Sequence, residues 1–211
     1  MRLRLHTYWR SGAAWRVRIA LGLKGLDYES LPCDLRLGEQ KGDGFAALNP
    51  QNLVPALEAG GLVLTQSLAI IEWLEEIYPK PPLLPQGAGG RSIVRAMAQA
   101  VACDTHPLHN LRVLGALRDQ FVASEAQLSA WAAQWITQGL VALEAMVTRH
   151  GDGFAYGNAP GMADCCLIPQ LYSARRFGVD LASFSRLLAV EARCEALPAF
   201  AAAHAQVQPG Q

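Results

Sequence analysis

Nothing in this chain approaches the roughly 20 consecutive apolar residues that a bilayer-spanning helix needs. The opening run Met1-Arg2-Leu3-Arg4-Leu5 also lacks the apolar stretch of a secretory leader. The expectation is a cytoplasmic protein with no membrane partner. An excess of one charge is missing too. Lys plus Arg equals Asp plus Glu at 18 each, so no bulk field draws the chain to nucleic acid, and any anion it binds must be held by local groups. Cysteine is sparse. Cys33, Cys103, Cys165, Cys166 and Cys194 are odd in number and show no C-x-x-C spacing, which argues against a disulfide framework, a zinc site or a dithiol redox centre. Buried structural thiols are their plain reading.

Apolar material is plentiful, at 51% of 211 residues, enough for one large core or two small ones. Its periodicity changes along the chain. Leu3 to Tyr8 alternates like a strand, and the run from Trp15 then places Val17, Ala20, Leu21 and Lys24 at helical spacing. Tyr28 to Pro32 reads as a second strand, and Pro55 to Leu64 as two short strands joined at Gly60-Gly61. Ser67 precedes the apolar-periodic set Leu68, Ile70, Ile71, Leu74 and Ile77, in the place of a helix N-cap. The order is β-α-β-α-β-β-α. Tyr78 to Gly90 is crowded with Pro and Gly and reads as a connection. Beyond it strand signals are scarce, and helix formers dominate stretches such as Glu125 to Val147. The expected organisation is α/β plus all-α, with residues 1–83 as the first domain, 84–90 as linker and 91–211 as an all-helical second domain.

Ser11 and Gly12 stand at the strand-to-helix turn. A hydroxyl there serves either as the helix N-cap or as a donor to a bound anion, beside the unpaired N–H groups and positive dipole end of the helix. Gly12 suits a tight turn and also lets backbone approach a ligand. Gln66-Ser67 opens another helix, where free N–H groups can hold a carboxylate. Val54-Pro55 precedes a strand, a position that a residue without an N–H tolerates.

The segment Trp9-Arg10-Ser11-Gly12-Ala13-Ala14-Trp15-Arg16-Val17-Arg18-Ile19-Ala20-Leu21 resembles the signature of the zeta-class glutathione transferases. In that signature a Ser-Ser-Cys-like turn runs into R-V-R-I-A-L, and here Gly12 and Ala13 replace the second Ser and the Cys. Further blocks follow in family order: Ala47 to Gln51 with Leu53 to Leu57, Gln66 to Glu76, Cys103 to Leu114, and Pro169 to Phe177. The resemblance covers nearly the whole chain. It implies a thioredoxin-like first domain, an all-helical glutathione transferase domain after it, a homodimer, and glutathione as cofactor. It also implies cis–trans isomerisation of a small dicarboxylic substrate, maleylacetoacetate.

The resemblance assigns roles residue by residue. Ser11 becomes the group that stabilises the glutathione thiolate, with Arg10 and Arg176 holding the substrate's carboxylates and developing charge. Glutathione itself falls to Ser11, Gly12, Val54 and Pro55 across a cis peptide bond, and Gln66 and Ser67 at its γ-glutamyl carboxylate. Gln40, His106, Asn110 and Arg112 are assigned to its glycyl end, and Asp104 to the amine in the partner subunit. His106 and Asn110 are four apart and, on one helix, would share a face. Competing expectations are isomerisation of maleylpyruvate, general conjugation or dehalogenation, and a binding protein without catalysis. Relatives associated with maleylpyruvate carry an extra arginine where Leu111 stands, which favours maleylacetoacetate. A last departure is Gly161, where the family opens a helix with Ser or Thr. Asp164 is expected to receive the cap N–H there and preserve the fold.

Overall fold

The computed structural model describes residues 1–210. Its contacts divide the chain into two units, one made of Met1–Leu83 with the tail that begins at Glu195, the other of Leu84–Cys194. The sequence reading places that tail with the helices of 91–211; the structure groups it with the first unit instead. The cause is local packing. A helix over Pro198–Ala203 lies along the helix Gly12–Leu23, with Phe200 buried. A Cβ on Gly22 would come within 3.1 Å of the Ala199 Cβ, so the close approach depends on that glycine.

The first unit carries β1 (Leu3–Thr7), α1 (Gly12–Leu23), β2 (Glu29–Pro32), α2 (Asp43–Leu48), β3 (Ala56–Ala59), β4 (Leu62–Thr65) and α3 (Ser67–Ile77). The sheet order is β2-β1-β3-β4, with β1 parallel to β2 and antiparallel to β3, and β3 antiparallel to β4. Leu3, Leu5 and Thr7 of β1 are buried while His6 faces Glu58 across the strand, the period-2 alternation read from the sequence. Helix α1 is buried nearly all round, its arginines included. At its end Lys24 is also buried, and its ammonium joins the Glu75 carboxylate and the carbonyls of Tyr78 (2.7 Å) and Pro81 (2.8 Å). That clamp fixes α3 to α1.

One boundary differs from expectation. Ser67 is not the N-cap of α3 but its first helical residue. The cap is Gln66, at φ +68°, and the Ser67 hydroxyl accepts from Arg16 rather than from the helix.

The second unit contains α4 (Ala88–Gln99), α5 (Leu111–Phe121), α6 (Glu125–His150), α7 (Met162–Arg176) and α8 (Ser185–Glu195), and α9 is the tail helix Pro198–Ala203. Helix α6 opens with a reciprocal capping box between Ser124 and Gln127. Between α4 and α5 the chain winds through a π turn, Ala100–Thr105, and a 3₁₀ turn, His106–His109. The continuous helix expected through His106, Asn110 and Arg112 is therefore absent. Pro107 enters the 3₁₀ turn, and Asn110 is extended, capping α5 by accepting the N–H groups of Arg112 (3.0 Å) and Val113 (3.3 Å).

Helix α7 opens at Met162 with Gly161 as its N-cap, as expected. Asp164 accepts the Gly161 N–H and the Ala155 N–H, both at 2.8 Å. Burial of its carboxyl outweighs these two donors and pushes the pKa up to about 6, above the usual carboxylate range. Because the folded value is raised, Asp164's contribution to stability is complete below about pH 4 and declines as the pH rises through about 6. In urea unfolding of the wild type and Asp164→Asn, the wild type's advantage is expected to shrink by about tenfold in unfolding constant, ~1.4 kcal/mol, between about pH 5 and about pH 7.5. An advantage that grows over that interval would contradict the assignment.

Candidate active site

The strand register gathers the sequence-identified residues of the first unit at one end of the sheet. Thr7 is opposite Pro32, His6 opposite Ala56, and Ala56 opposite Thr65. The ends of β1, β2 and β4 and the start of β3 therefore meet there. So do the segments attached to them: Trp9-Arg10-Ser11, Val54-Pro55, Gln66-Ser67, and the turn Glu39–Lys41 that holds Gln40.

Ser11 is the N-cap of α1. Its Oγ accepts the Ala14 N–H at 3.2 Å, while its own N–H donates to the Tyr8 carbonyl at 3.0 Å. Capping uses one lone pair of the hydroxyl and leaves its proton available for donation, so the two readings of this serine are compatible. Gly12 is buried as the first residue of the helix. Arg10 is partly exposed, its guanidinium 5.1 Å from the Trp9 ring centroid. The Val54-Pro55 bond is cis. The loop before it is organised by Asn49, which donates to the Leu53 carbonyl at 2.6 Å and accepts the Gln51 N–H at 3.0 Å.

At the start of α3, Gln66 sits in left-handed backbone, a conformation that costs a non-glycine residue about 1–3 kcal/mol and concentrates at functional turns. Its amide donates to Gln51 at 2.7 Å. Beneath it the buried Arg16 donates to Ser67 Oγ at 3.2 Å, placing a cation behind this helix N-terminus. Arg16 and Asn49 are site features the sequence reading passes over. A charged residue inside an otherwise apolar helix was the available signal for Arg16, and the Asn-Pro turn for Asn49.

The second unit holds the remaining residues. Asp104 is exposed in the π turn, next to Cys103, the one cysteine on the surface; the other four are buried. The Cys33 thiol is pushed up to about 11 by burial and by the carboxylates of Glu39 and Asp34, which keeps it protonated and unreactive at neutral pH. His106 is half-buried, its ring 5.1 Å from that of His109, and His109 meets the Gln170 side chain and, edge-on, the Phe177 ring at 5.6 Å. Arg112 is exposed in the first turn of α5. Arg176 is exposed at the end of α7, its guanidinium 4.5 Å from the Phe177 ring centroid, whereas Arg175 is engaged by both oxygens of Glu191. Arg175 is thus a structural ion pair.

A thiol tripeptide fits the first unit. It presents peptide N–H and C=O groups, two carboxylates and an ammonium, and this end of the sheet offers matching groups. Among the described residues, the buried Trp9 Nε1 donor and the buried Gln40 Oε1 and Asn52 Oδ1 acceptors have no protein partner. The starts of α1 and α3 add unpaired N–H groups.

A four-stranded β-α-β-α-β-β-α unit with a cis-proline loop, a serine-capped helix and helices after it defines a glutathione transferase. Residues 10–77 match the family model for the glutathione S-transferase N-terminal domain. Maleylacetoacetate isomerase of Pseudomonas aeruginosa is 48% identical over 211 residues, covering 98% of each chain. A holo structure of maleylpyruvate isomerase, described as a bacterial zeta-class glutathione S-transferase, is 50% identical with a TM-score of 0.96 and 99% coverage of both chains. A maleylacetoacetate isomerase from Anaeromyxobacter dehalogenans 2CP-1, solved with glutathione in its active site, is 47% identical with a TM-score of 0.89, covering 99% of this chain and 97% of that one. The chain belongs to the zeta-class glutathione transferase family. It is an enzyme, and its cofactor is glutathione. Among the described residues no helix is long and apolar enough to cross a membrane.

Proposed function

We propose that this enzyme catalyses the cis–trans isomerisation of maleylacetoacetate to fumarylacetoacetate in tyrosine and phenylalanine breakdown, as a cytoplasmic homodimer. The observation that carries the reading is Ser11, capping α1 with its proton free to donate and with the helix's positive end beside it. The chemistry glutathione supplies when bound is a thiolate that adds to the conjugated cis double bond, allows rotation about the resulting single bond, and departs unconsumed.

The residues divide the remaining work. Ser11 holds a sulfur anion by donating its hydroxyl proton toward it, and Gly12 brings backbone close. Val54 and Pro55 offer an extended segment to a peptide, as an added strand would pair. Gln66 and Ser67, backed by the charge of Arg16, receive a carboxylate at the start of α3. Gln40, His106, Asn110 and Arg112 serve the glycyl end, and Asp104 the amine bound in the partner subunit. Arg10 and Arg176 supply planar guanidinium forks for a dicarboxylate and for the charge that develops on its carbonyl.

The test is turnover of the two maleyl substrates by the purified enzyme at equal glutathione. A kcat/KM about tenfold or more higher for maleylacetoacetate is expected, since Leu111 adds no carboxylate anchor where a guanidinium would be worth ~1.5–3 kcal/mol. A preference for maleylpyruvate would reassign the substrate, and turnover without glutathione would overturn the mechanism.

A further inference from the structure

Helix α1 carries a second buried arginine, which the reaction above does not use. Arg18 is 1% exposed. Its guanidinium donates to four oxygens: Thr7 Oγ1 at 2.8 Å, the Tyr8 carbonyl at 3.3 Å, the Trp9 carbonyl at 3.0 Å and the Ala203 carbonyl at 3.2 Å. Three of the four belong to consecutive residues that lead from the end of β1 to Arg10 and Ser11. The fourth belongs to α9 in the C-terminal tail.

One acceptor is shared. The Tyr8 carbonyl receives Arg18 Nη1 and also the N–H of Ser11. The arginine therefore holds the oxygen on which the Ser11 backbone hangs, and the turn's direction follows from where that oxygen is held. None of the four acceptors is a carboxylate, so the guanidinium's own partners do not cancel its charge. The neighbouring titratable groups do not cancel it either. Tyr28, which bears on Arg18 electrostatically, has its phenol raised by burial and is neutral at physiological pH. His204, next to Ala203, places its ring edge-on to Trp15 at 4.9 Å. Burial draws the Arg18 guanidinium down to about 10, which leaves it protonated at neutral pH.

A planar five-donor fork suits four acceptors spread over two chain segments, and a lysine ammonium at the same position could not span them. A purely structural arginine on α1 would need no set of three consecutive groups ending at the catalytic turn. We propose that Arg18 is a positioning residue for catalysis, fixing the Tyr8-Trp9 carbonyls so that the Ser11 hydroxyl and the start of α1 are aimed at the glutathione sulfur. Through Ala203 it also makes the tail helix part of that support. The proposal rests on the role given to Ser11 above.

The experiment compares wild type, Arg18→Lys, Arg18→Met and Ser11→Ala, each loaded with glutathione and checked for folding by circular dichroism and thermal melting. Thiolate absorbance is followed against pH, and kcat and KM for the maleyl substrate are measured. The apparent thiol pKa is expected to rise by about one unit in Arg18→Met and by less in Arg18→Lys, with kcat near neutrality falling about tenfold and KM within about twofold of wild type. Should Arg18→Met fail to fold, Arg18→Lys alone decides. A folded Arg18 variant with wild-type thiol titration and kcat, measured beside a Ser11→Ala enzyme that is shifted, overturns the proposal and leaves the Ser11 reading standing. An unshifted Ser11→Ala overturns the reading itself.

Discussion

Replacing Ser11 with alanine is expected to lower kcat by about 10²- to 10³-fold, the usual cost of removing one preorganised donor from a developing or resident anion. The Ser11 hydroxyl caps α1 through a lone pair, at 3.2 Å from the Ala14 N–H, and so retains its proton for a sulfur anion. Two separable losses follow. Stability drops by about 1 kcal/mol from the missing cap, and turnover drops by far more than that. Ser11→Thr keeps a hydroxyl and should recover part of both. Melting curves and steady-state kinetics on the three proteins check this; a folded Ser11→Ala enzyme with wild-type kcat would remove serine from the mechanism.

The second large effect is expected at Arg176. Its guanidinium lies over the Phe177 ring, while the adjacent Arg175 is held by both carboxylate oxygens of Glu191. Truncating Arg176 to alanine should reduce kcat/KM for the dicarboxylate by about 10²-fold, the scale of a bidentate charge-assisted pair, and leave the KM for glutathione unchanged. Arg175→Ala should instead destabilise α7 against α8 with little effect on substrate affinity. If the two variants exchanged phenotypes, the substrate anchor would have to be moved to Arg175.

How far the sequence discloses this site depends on whether a feature is local. The opening strand, the hairpin at Gly60-Gly61, the Ser11 turn and the Gly161-Asp164 cap are all local pairings of residue type with backbone, and each forms where its pattern stands. Ser67 misleads as a cap because the residue before it takes φ +68° and caps the helix in its place, a conformation that glutamine does not advertise. The spacing of His106 and Asn110 suggests one helical face, yet Pro107 and the capping preference of asparagine were the better guides, and the chain breaks there into a π turn, a 3₁₀ turn and a new helix.

The tail is the least legible part. Nothing in residues 195–210 announces that α9 will pack along α1, because the complement it needs is Gly22, more than 170 positions earlier. The buried arginines follow the same logic. Arg16 and Arg18 stand two apart and so on different sides of α1, and only the fold shows that Ser67 lies against one of them while the Tyr8, Trp9 and Ala203 carbonyls surround the other.

The most direct trial of the thiolate-stabilising turn is a pH titration of thiolate absorbance, with glutathione saturating the wild-type enzyme and then Ser11→Ala. The wild-type complex should ionise at least about one pH unit below the free tripeptide, with the serine-less enzyme returning most of that shift. A wild-type curve superimposed on that of free glutathione would contradict the mechanism at its root.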